Sequence, residues 1–235
     1  MTTESVQTKT KDFMGHPGGL STLFLTEMWE RMSYYGMRAM LVLFMTASIQ
    51  EGGLAITVAS ATAIYGLYTG SVYLMGLPGG WMADRLIGGQ QAVWYGGIII
   101  MFGHIVLEIP NDYTFFIGLI LVVLGTGLLK PNIGAMVGQL YASDDNRRDS
   151  GYTLYYLGIN LGSVIGYAVC GYLRINNGWH WAFGAAAVGM AIGLVLYKLT
   201  LSKLDGAGAE PTVKLSPKAA KISWSIIGLF LLAVV

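Results

Sequence analysis

Apolar runs of about membrane length recur along this 235-residue chain and restrict the folds open to it. About 20 apolar residues in a helix cross the hydrocarbon core of a bilayer. Only helices and closed barrels satisfy the backbone in lipid, and the runs lack the alternation of strands. The sequence therefore predicts six membrane-spanning helices, near residues 19–48, 57–82, 90–109, 113–141, 151–173 and 180–201.

The composition also indicates an all-α integral membrane protein. Hydrophobic residues make up 54% of the chain and charged residues 11%, against about 25% charged residues in soluble domains. The 33 glycines suit close helix packing in lipid. A single cysteine, Cys170, excludes an internal disulfide and a multi-cysteine metal site, and no metal site is expected. The net charge of +1 gives no reason to expect nucleic acid as a partner.

Four regions are predicted along the chain. Residues 1–18 form a polar cytoplasmic tail without the order of a signal peptide. Residues 19–201 form the six-helix bundle, and residues 202–217 form a polar cytoplasmic linker. The apolar run within 218–235 is too short to cross a membrane. We therefore expect it to be the start of a further helix in a longer protein.

Basic residues orient the predicted bundle, because short cytoplasmic loops are enriched in lysine and arginine. Such residues occur in the tail, in the loops after the second and fourth helices, and in the linker, whereas the opposite loops hold only Arg174. This pattern predicts a multi-pass protein with a cytoplasmic N-terminus, in the cell (inner) membrane if the organism is bacterial.

Four charged residues lie inside the first apolar segment. A charge near the middle of a spanning helix costs about 2.5–3.5 kcal/mol on insertion scales. Helical periodicity places six polar residues on one stripe: Glu27, Glu30, Arg31, Tyr34, Tyr35 and Arg38. Glu27 and Arg31 have the i,i+4 spacing of an ion pair. The stripe predicts a wet cavity lined by acids, bases and hydroxyls; the alternative is an ion pair that only locks helices together.

Lys130 is a second charge deep in an apolar segment. The adjacent Pro131 removes a backbone donor and can kink the helix. An ammonium at this depth needs a carboxylate or water, and the only deeply placed acids are Glu27 and Glu30. We therefore expect one of these glutamates to pair with Lys130. The alternative is a side chain that extends to the membrane interface.

Other polar residues of the predicted helices give weaker signals. The Asn160 amide could bind a polar ligand or hydrogen-bond to another helix. Three tyrosines of the second helix could present hydroxyls to a cavity or serve packing alone: Tyr65, Tyr68 and Tyr73. His104 and Glu108 are spaced i,i+4 on the third helix, which favours a structural pair.

Asp84 and Arg85 lie in a glycine-flanked loop after the second helix. Asp84 can favour a neighbouring helix N-terminus, and Arg85 can pair across the loop. Such contacts would hold a cytoplasmic gate in one state, although the pattern is also compatible with a simple turn.

Together these motifs resemble the proton-dependent oligopeptide transporter family of the major facilitator superfamily. The resemblance covers about residues 19–201. It rests on an E-x-x-E-R motif at Glu27, Glu30 and Arg31, a loop signature at Gly80–Gly88, a helix 4 lysine at Lys130, and the helix 5 motif at Tyr155–Ser163. Met32 stands where the family often has phenylalanine, which leaves the charges in place.

The resemblance implies two six-helix bundles around a central site, each built from inverted three-helix repeats. This chain would be the N-terminal bundle. The run after Lys218 would be either an extra inter-bundle helix or the first helix of the second bundle. The implied function is proton-coupled symport of di- and tripeptides by alternating access, with H⁺ as the coupling ion, no cofactor and no enzymatic activity.

The resemblance also implies roles for the polar residues. The peptide carboxylate would meet Arg31 and Lys130, while Glu27 and Glu30 compete for these cations when ionised. Protonation of one glutamate would free a cation and couple proton entry to peptide binding. The remaining peptide contacts would come from Tyr34, Tyr35, Arg38, Tyr73 and Asn160. The implied partners are lipid, peptides, protons and a C-terminal bundle.

Two other functions are compatible with the sequence. One is facilitator-type transport of nitrate or another organic anion. The other is a non-transporting, peptide-binding membrane protein. An enzyme is not expected, because no nucleophile–base or metal-ligand pattern is found.

Overall fold

The computed structural model describes residues 13–234, without the side chains of residues 226 and 229–234. Residues 1–12 of the predicted tail lie outside this part. The described chain is helical and contains no strand. Its α-helices are α1 (Gly19–Arg38), α2 (Leu41–Thr46), α3 (Val58–Met82), α4 (Gly89–Glu108), α5 (Asp112–Gln139), α6 (Arg148–Asn177), α7 (Trp179–Thr200) and α8 (Pro217–Val234).

All six predicted segments are helical, and the expected membrane fold is confirmed. Four of them, α4 to α7, are long and apolar enough by themselves to cross a membrane. The first segment is not the single helix expected over 19–48. It breaks at residues 39–40, where Met40 N donates to Met37 O at 3.0 Å in a tight turn. After this turn, α2 brings Phe44 against Phe115, Trp179 and Phe183, with ring centroids 5.0–5.6 Å apart.

The helix contacts have an internal symmetry. Helix α1 packs on α6 and α7, and correspondingly α5 packs on α3 and α4, while α4 contacts α7. Exchanging the set α1, α3, α4 with the set α5, α6, α7 reproduces these contacts, although α6 also packs on α7 whereas α3 scarcely touches α4. The arrangement agrees with two three-helix repeats, and α1 and α5 occupy equivalent places at its centre.

Glycines set the distance between α1 and α6. Gly158, Gly162 and Gly166 face the backbone of α1, and a Cβ at Gly158 would lie 3.1 Å from Phe24 O. At Gly162 it would lie 3.0 Å from Arg31 Cβ. Small residues let two helix backbones approach this closely in a membrane. The contact fixes the register and rotation of α1, and therefore where its polar stripe points.

The linker after α7 is attached to the loop between α3 and α4. Val213 N donates to Asp84 O at 2.9 Å, and Gln90 N donates to Gly208 O at 2.8 Å. Gly88 adopts a φ of +81°, in the region that favours glycine, and a Cβ there would lie 2.9 Å from Ala209 O. The chain therefore closes over this end of the bundle.

Candidate functional site

The polar stripe of α1 lies in the space between two pairs of helices, here termed the cleft. Helix α6 packs along α1 on one wall, and α3 packs along α5 on the other, with few contacts between the walls. The cleft contains polar side chains of α1, α3 and α5.

Arg31 is held by two carboxylates at the centre of the cleft. Its Nε lies 3.1 Å from Glu27 Oε1 and also contacts Glu30 Oε2. The three side chains are only 3%, 2% and 0% exposed. Glu30 Oε1 and Arg31 Nη2 are buried and have no hydrogen-bond partner in the part of the chain that the structure describes. Two carboxylates share one guanidinium, so the ionised trio carries a net negative charge that one proton would cancel. Burying such a charge is costly.

Lys130 does not form the predicted ion pair with Glu27 or Glu30. Its Nζ lies 4.2 Å from the centroid of the Tyr73 ring, as in a cation–π interaction. No carboxylate of a described residue lies within 4.0 Å of it, although its charge acts on Glu30 over a longer distance. Both glutamates are drawn to Arg31 on their own helix, which leaves Lys130 on the opposite wall.

Tyrosines surround the second cation of the stripe, Arg38. Its Nε donates to the Tyr65 hydroxyl at 2.5 Å, and its Cζ lies 5.4 Å from the Tyr65 ring centroid. The Tyr34 ring lies between the two arginines, 4.9 Å from Arg31 Cζ and 5.9 Å from Arg38 Cζ. The rings cover Arg31 and leave Arg38 partly exposed.

The other predicted contact residues lie at the edge of this cluster. The Tyr35 ring packs against Tyr34 and Tyr167, with centroids 5.4 and 6.0 Å apart. Tyr73 is 65% exposed. Asn160 is exposed on α6, two turns before Tyr167 on the same face. The structure gathers the charged and tyrosine residues around one cleft and leaves the Asn160 amide without a contact to them.

Tyr155 is a neighbour of this cluster that was not predicted as a site residue from the sequence. It is 5% exposed and interacts with Glu27 and Arg31. Its spacing from Gly158 and Gly162, at i+3 and i+7, places it on the face of α6 that packs on α1. That spacing is the sequence signal that could have identified it.

The loop with Asp84 and Arg85 lies at the end of the bundle where α1 begins. Residues Ala83–Ile87 form a π-helical turn. Asp84 Oδ1 lies 3.5 Å from the Thr212 hydroxyl, while Arg85 forms no ion pair with a described residue. The loop is therefore held by the contacts of Asp84 with the linker. It is not held by the ion pair of Arg85 that the sequence suggested.

The predicted pairing of His104 with Glu108 is also wrong. His104 is fully buried, and neither ring nitrogen has a hydrogen-bond partner among residues 13–234. The Glu108 carboxylate lies against α7 instead, where a Cβ added at Gly184 would be 3.1 Å from its Oε1. The i,i+4 spacing permits the pair but does not require it.

Comparisons with known proteins agree on one family. The model of the POT family matches residues 90–205. An uncharacterised transporter of Bacillus subtilis is 48% identical over 212 residues, covering 89% of this chain and 43% of the relative. A di-/tripeptide transporter of Lactococcus lactis is 43% identical over 235 residues, covering 94% and 47%. A crystal structure of a POT peptide transporter in complex with sulfate has a TM-score of 0.90 and 45% identity, covering 96% of this chain and 46% of its own. The chain thus spans less than half the length of these relatives.

Proposed function

Because the chain belongs to the POT family of membrane transporters, we propose that it forms the N-terminal half of a proton-coupled symporter of di- and tripeptides. The observation that carries this proposal is the buried trio in which Glu27 and Glu30 both hold Arg31. The trio provides a cation for a peptide carboxylate and two groups able to accept a proton, at one place in a cleft.

The trio supports a coupling mechanism based on competition. While both glutamates are ionised, they occupy Arg31 and exclude another carboxylate. Protonation of one glutamate weakens this hold, so the C-terminal carboxylate of a peptide can take its place. Proton and peptide thereby favour the same state, because each interacts differently with the two states.

The rest of the cleft supplies the remaining peptide contacts. No carboxylate of a described residue pairs with Lys130, so it is available as a second cation for the peptide carboxylate, with Arg38 nearby. The backbone of the peptide binds hydroxyls and an amide on the cleft walls, from Tyr34, Tyr35, Tyr73 and Asn160. A C-terminal bundle closes the open side, and alternating access exposes the cleft to each side of the membrane in turn.

The proposed topology follows the distribution of basic residues. Six helices cross the cell membrane, which is the inner membrane in a bacterium, and the N-terminus and the linker lie in the cytoplasm. The loop with Asp84 and Arg85 acts as a cytoplasmic gate, whose position the linker secures through Asp84. The protein uses H⁺ as its coupling ion and needs no cofactor, and we assign it no catalytic reaction.

Uptake into liposomes tests the function directly. The complete transporter is reconstituted, and labelled dialanine is supplied with and without an inward proton gradient. We expect gradient-driven accumulation that unlabelled di- and tripeptides inhibit and nitrate does not. Inhibition by nitrate alone would instead support an anion transporter. Peptide binding without counterflow would support a non-transporting binding protein.

A further inference from the structure

A groove of about 550 Å³ runs between α6 and α7 on the outside of the bundle. Its floor includes Trp29 and Met32 of α1, and its sides include Val169, Trp181 and Val188. Among the described residues that line it, Glu108 at the end of α4 is the one that carries a charge. The groove is therefore an apolar channel with one carboxylate, a pattern suited to an elongated molecule that has an apolar body and a polar end.

The groove opens away from the cleft. Successive residues of a helix are rotated by 100°, so Trp29 and Met32 lie on the side of α1 opposite Glu27 and Tyr34. The side chains around the groove are apolar and exposed, with Trp181 at 64% and Val188 at 60%. In an integral membrane protein, an exposed apolar surface on spanning helices, opposite the polar cleft, contacts acyl chains.

The Glu108 carboxylate lies at the far end of the groove without a cation. It forms no hydrogen bond or ion pair with a described residue, and His104 on the same helix is buried away from it. The carboxylate lies over Gly184, where a Cβ would be 3.1 Å from both Oε1 and Cδ. The missing side chain at Gly184 thus leaves room for the carboxylate at this end of the groove.

We propose that this groove binds a phospholipid with an amine headgroup, such as phosphatidylethanolamine. One acyl chain occupies the apolar channel, and the ammonium donates hydrogen bonds to Glu108. A charge-assisted pair of this kind is stronger than a neutral hydrogen bond. The Trp181 indole lies beside the headgroup, at the depth where tryptophan is enriched in membranes. An anionic headgroup without an amine would be repelled by the carboxylate.

Lipid retention in native mass spectrometry tests this site. The purified protein is mixed with equal amounts of phosphatidylethanolamine and phosphatidylglycerol that have identical acyl chains. We expect preferential retention of phosphatidylethanolamine, reduced about tenfold in Glu108→Gln, as for loss of one charge-assisted hydrogen bond. Glu51→Gln is the matched control, because Glu51 is exposed at the same end of the bundle but does not line the groove.

A second variant keeps the proposal testable if Glu108→Gln does not fold. Gly184→Ala keeps the Glu108 carboxylate but adds a methyl group where that carboxylate now lies. Alanine is otherwise favoured over glycine within a helix. We expect it to reduce the preference for phosphatidylethanolamine as well. The proposal fails if the protein retains both lipids equally, or if Glu51→Gln lowers the preference as much as Glu108→Gln does. It also fails if a second copy of the chain occupies the groove, seen as a dimer that excludes lipid.

Discussion

At the scale of single residues, Arg31 holds the site together. It is the only described cation in contact with Glu27 and Glu30, and all three side chains are almost fully buried. A buried carboxylate that loses its cation is strongly destabilised. Changes at Arg31 and at its glutamates should therefore affect function in different ways.

Replacing Arg31 with alanine should abolish peptide binding in the complete transporter. The change removes the cation that we propose for the peptide carboxylate, and it leaves two buried carboxylates without the guanidinium that they contact. Calorimetric titration with dialanine measures the effect in protein that remains monodisperse. Arg174→Ala is the control, because Arg174 stacks on Trp179 outside the cleft. This variant should bind dialanine normally. Near-native affinity of the Arg31 variant would place the carboxylate site elsewhere.

Replacing Glu30 with glutamine should separate proton coupling from peptide movement. Glutamine keeps the size and hydrogen-bonding capacity of protonated glutamate but cannot release a proton. Counterflow of one peptide against another needs no net proton release and should survive, whereas uptake driven by a proton gradient should be lost. Glu27→Gln is measured in parallel, because Glu27 contacts the same guanidinium. If both variants accumulate peptide against a gradient, the trio is not the coupling element.

The loop before α6 should respond to acid only at very low pH. Hydrogen bonds from the Arg147 side chain and backbone lower the pKa of Asp145 from 3.8 to about 2. A lowered folded-state pKa contributes stability that is complete above pH 4 and is lost as the pH falls through about 2. Arg147 also donates to Gly15 O at 3.0 Å. The exchange of backbone amide hydrogens near Gly15, corrected for intrinsic rates, should thus be constant from pH 5 to 8. In the Asp145→Asn variant this exchange should be faster. Equal protection in the variant would show that Asp145 does not hold this contact.

At the scale of helices, glycine contacts determine where the polar groups lie. The glycines of α6 bring α1 to backbone distance, and Gly79 of α3 and Gly127 of α5 approach each other in the equivalent way. Each wall of the cleft is therefore a closely packed helix pair. We expect the two helices of each pair to move as one unit. Their backbones are in close contact, so few side chains lie between them that could rearrange if one helix slid along the other.

Adding a methyl group at Gly162 should destabilise the α1–α6 wall. A Cβ there would meet the Met28 carbonyl and lie 3.0 Å from Arg31 Cβ, so Gly162→Ala should cost about 1–3 kcal/mol, as overpacking does. Gly171→Ala on the same helix meets nothing within 4 Å and should be neutral or slightly stabilising. Thermal unfolding in detergent compares the two variants with the unchanged protein. Equal melting temperatures for all three would contradict the close contact.

At the scale of the molecule, one side of the bundle is a surface suited to another bundle. Tyr73, Tyr156 and Tyr167 are more than half exposed beside the charged cleft. A membrane protein rarely presents such polar groups to lipid. This surface agrees with the proposal that a second bundle completes the site.

Residues 1–235 reconstituted alone should therefore not transport. Half of the peptide site would be missing, and no second bundle could alternate the access of the cleft. Uptake of labelled dialanine into liposomes that contain this fragment should equal uptake into empty liposomes. The complete transporter, reconstituted at the same density, serves as the positive control. Uptake by the fragment above background would overturn the two-bundle mechanism.

Local geometry explains which features could be predicted from the sequence. The six helices follow from runs of apolar residues, because backbone groups in lipid must be paired within the helix. The contact between Glu27 and Arg31 follows from i,i+4 spacing, which any helix brings to pairing distance. The polar stripe was predictable for the same reason.

Only the tertiary structure decided the contacts between helices. It placed Lys130 against Tyr73 instead of a glutamate, turned Glu108 from His104 toward Gly184, and bound Asp84 to the linker. It also broke the first segment at Met40, where the chain turns to bring Phe44 into an aromatic cluster. Such contacts depend on the rotation and depth of each helix, which the packing of the whole bundle sets and the spacing within one helix does not contain.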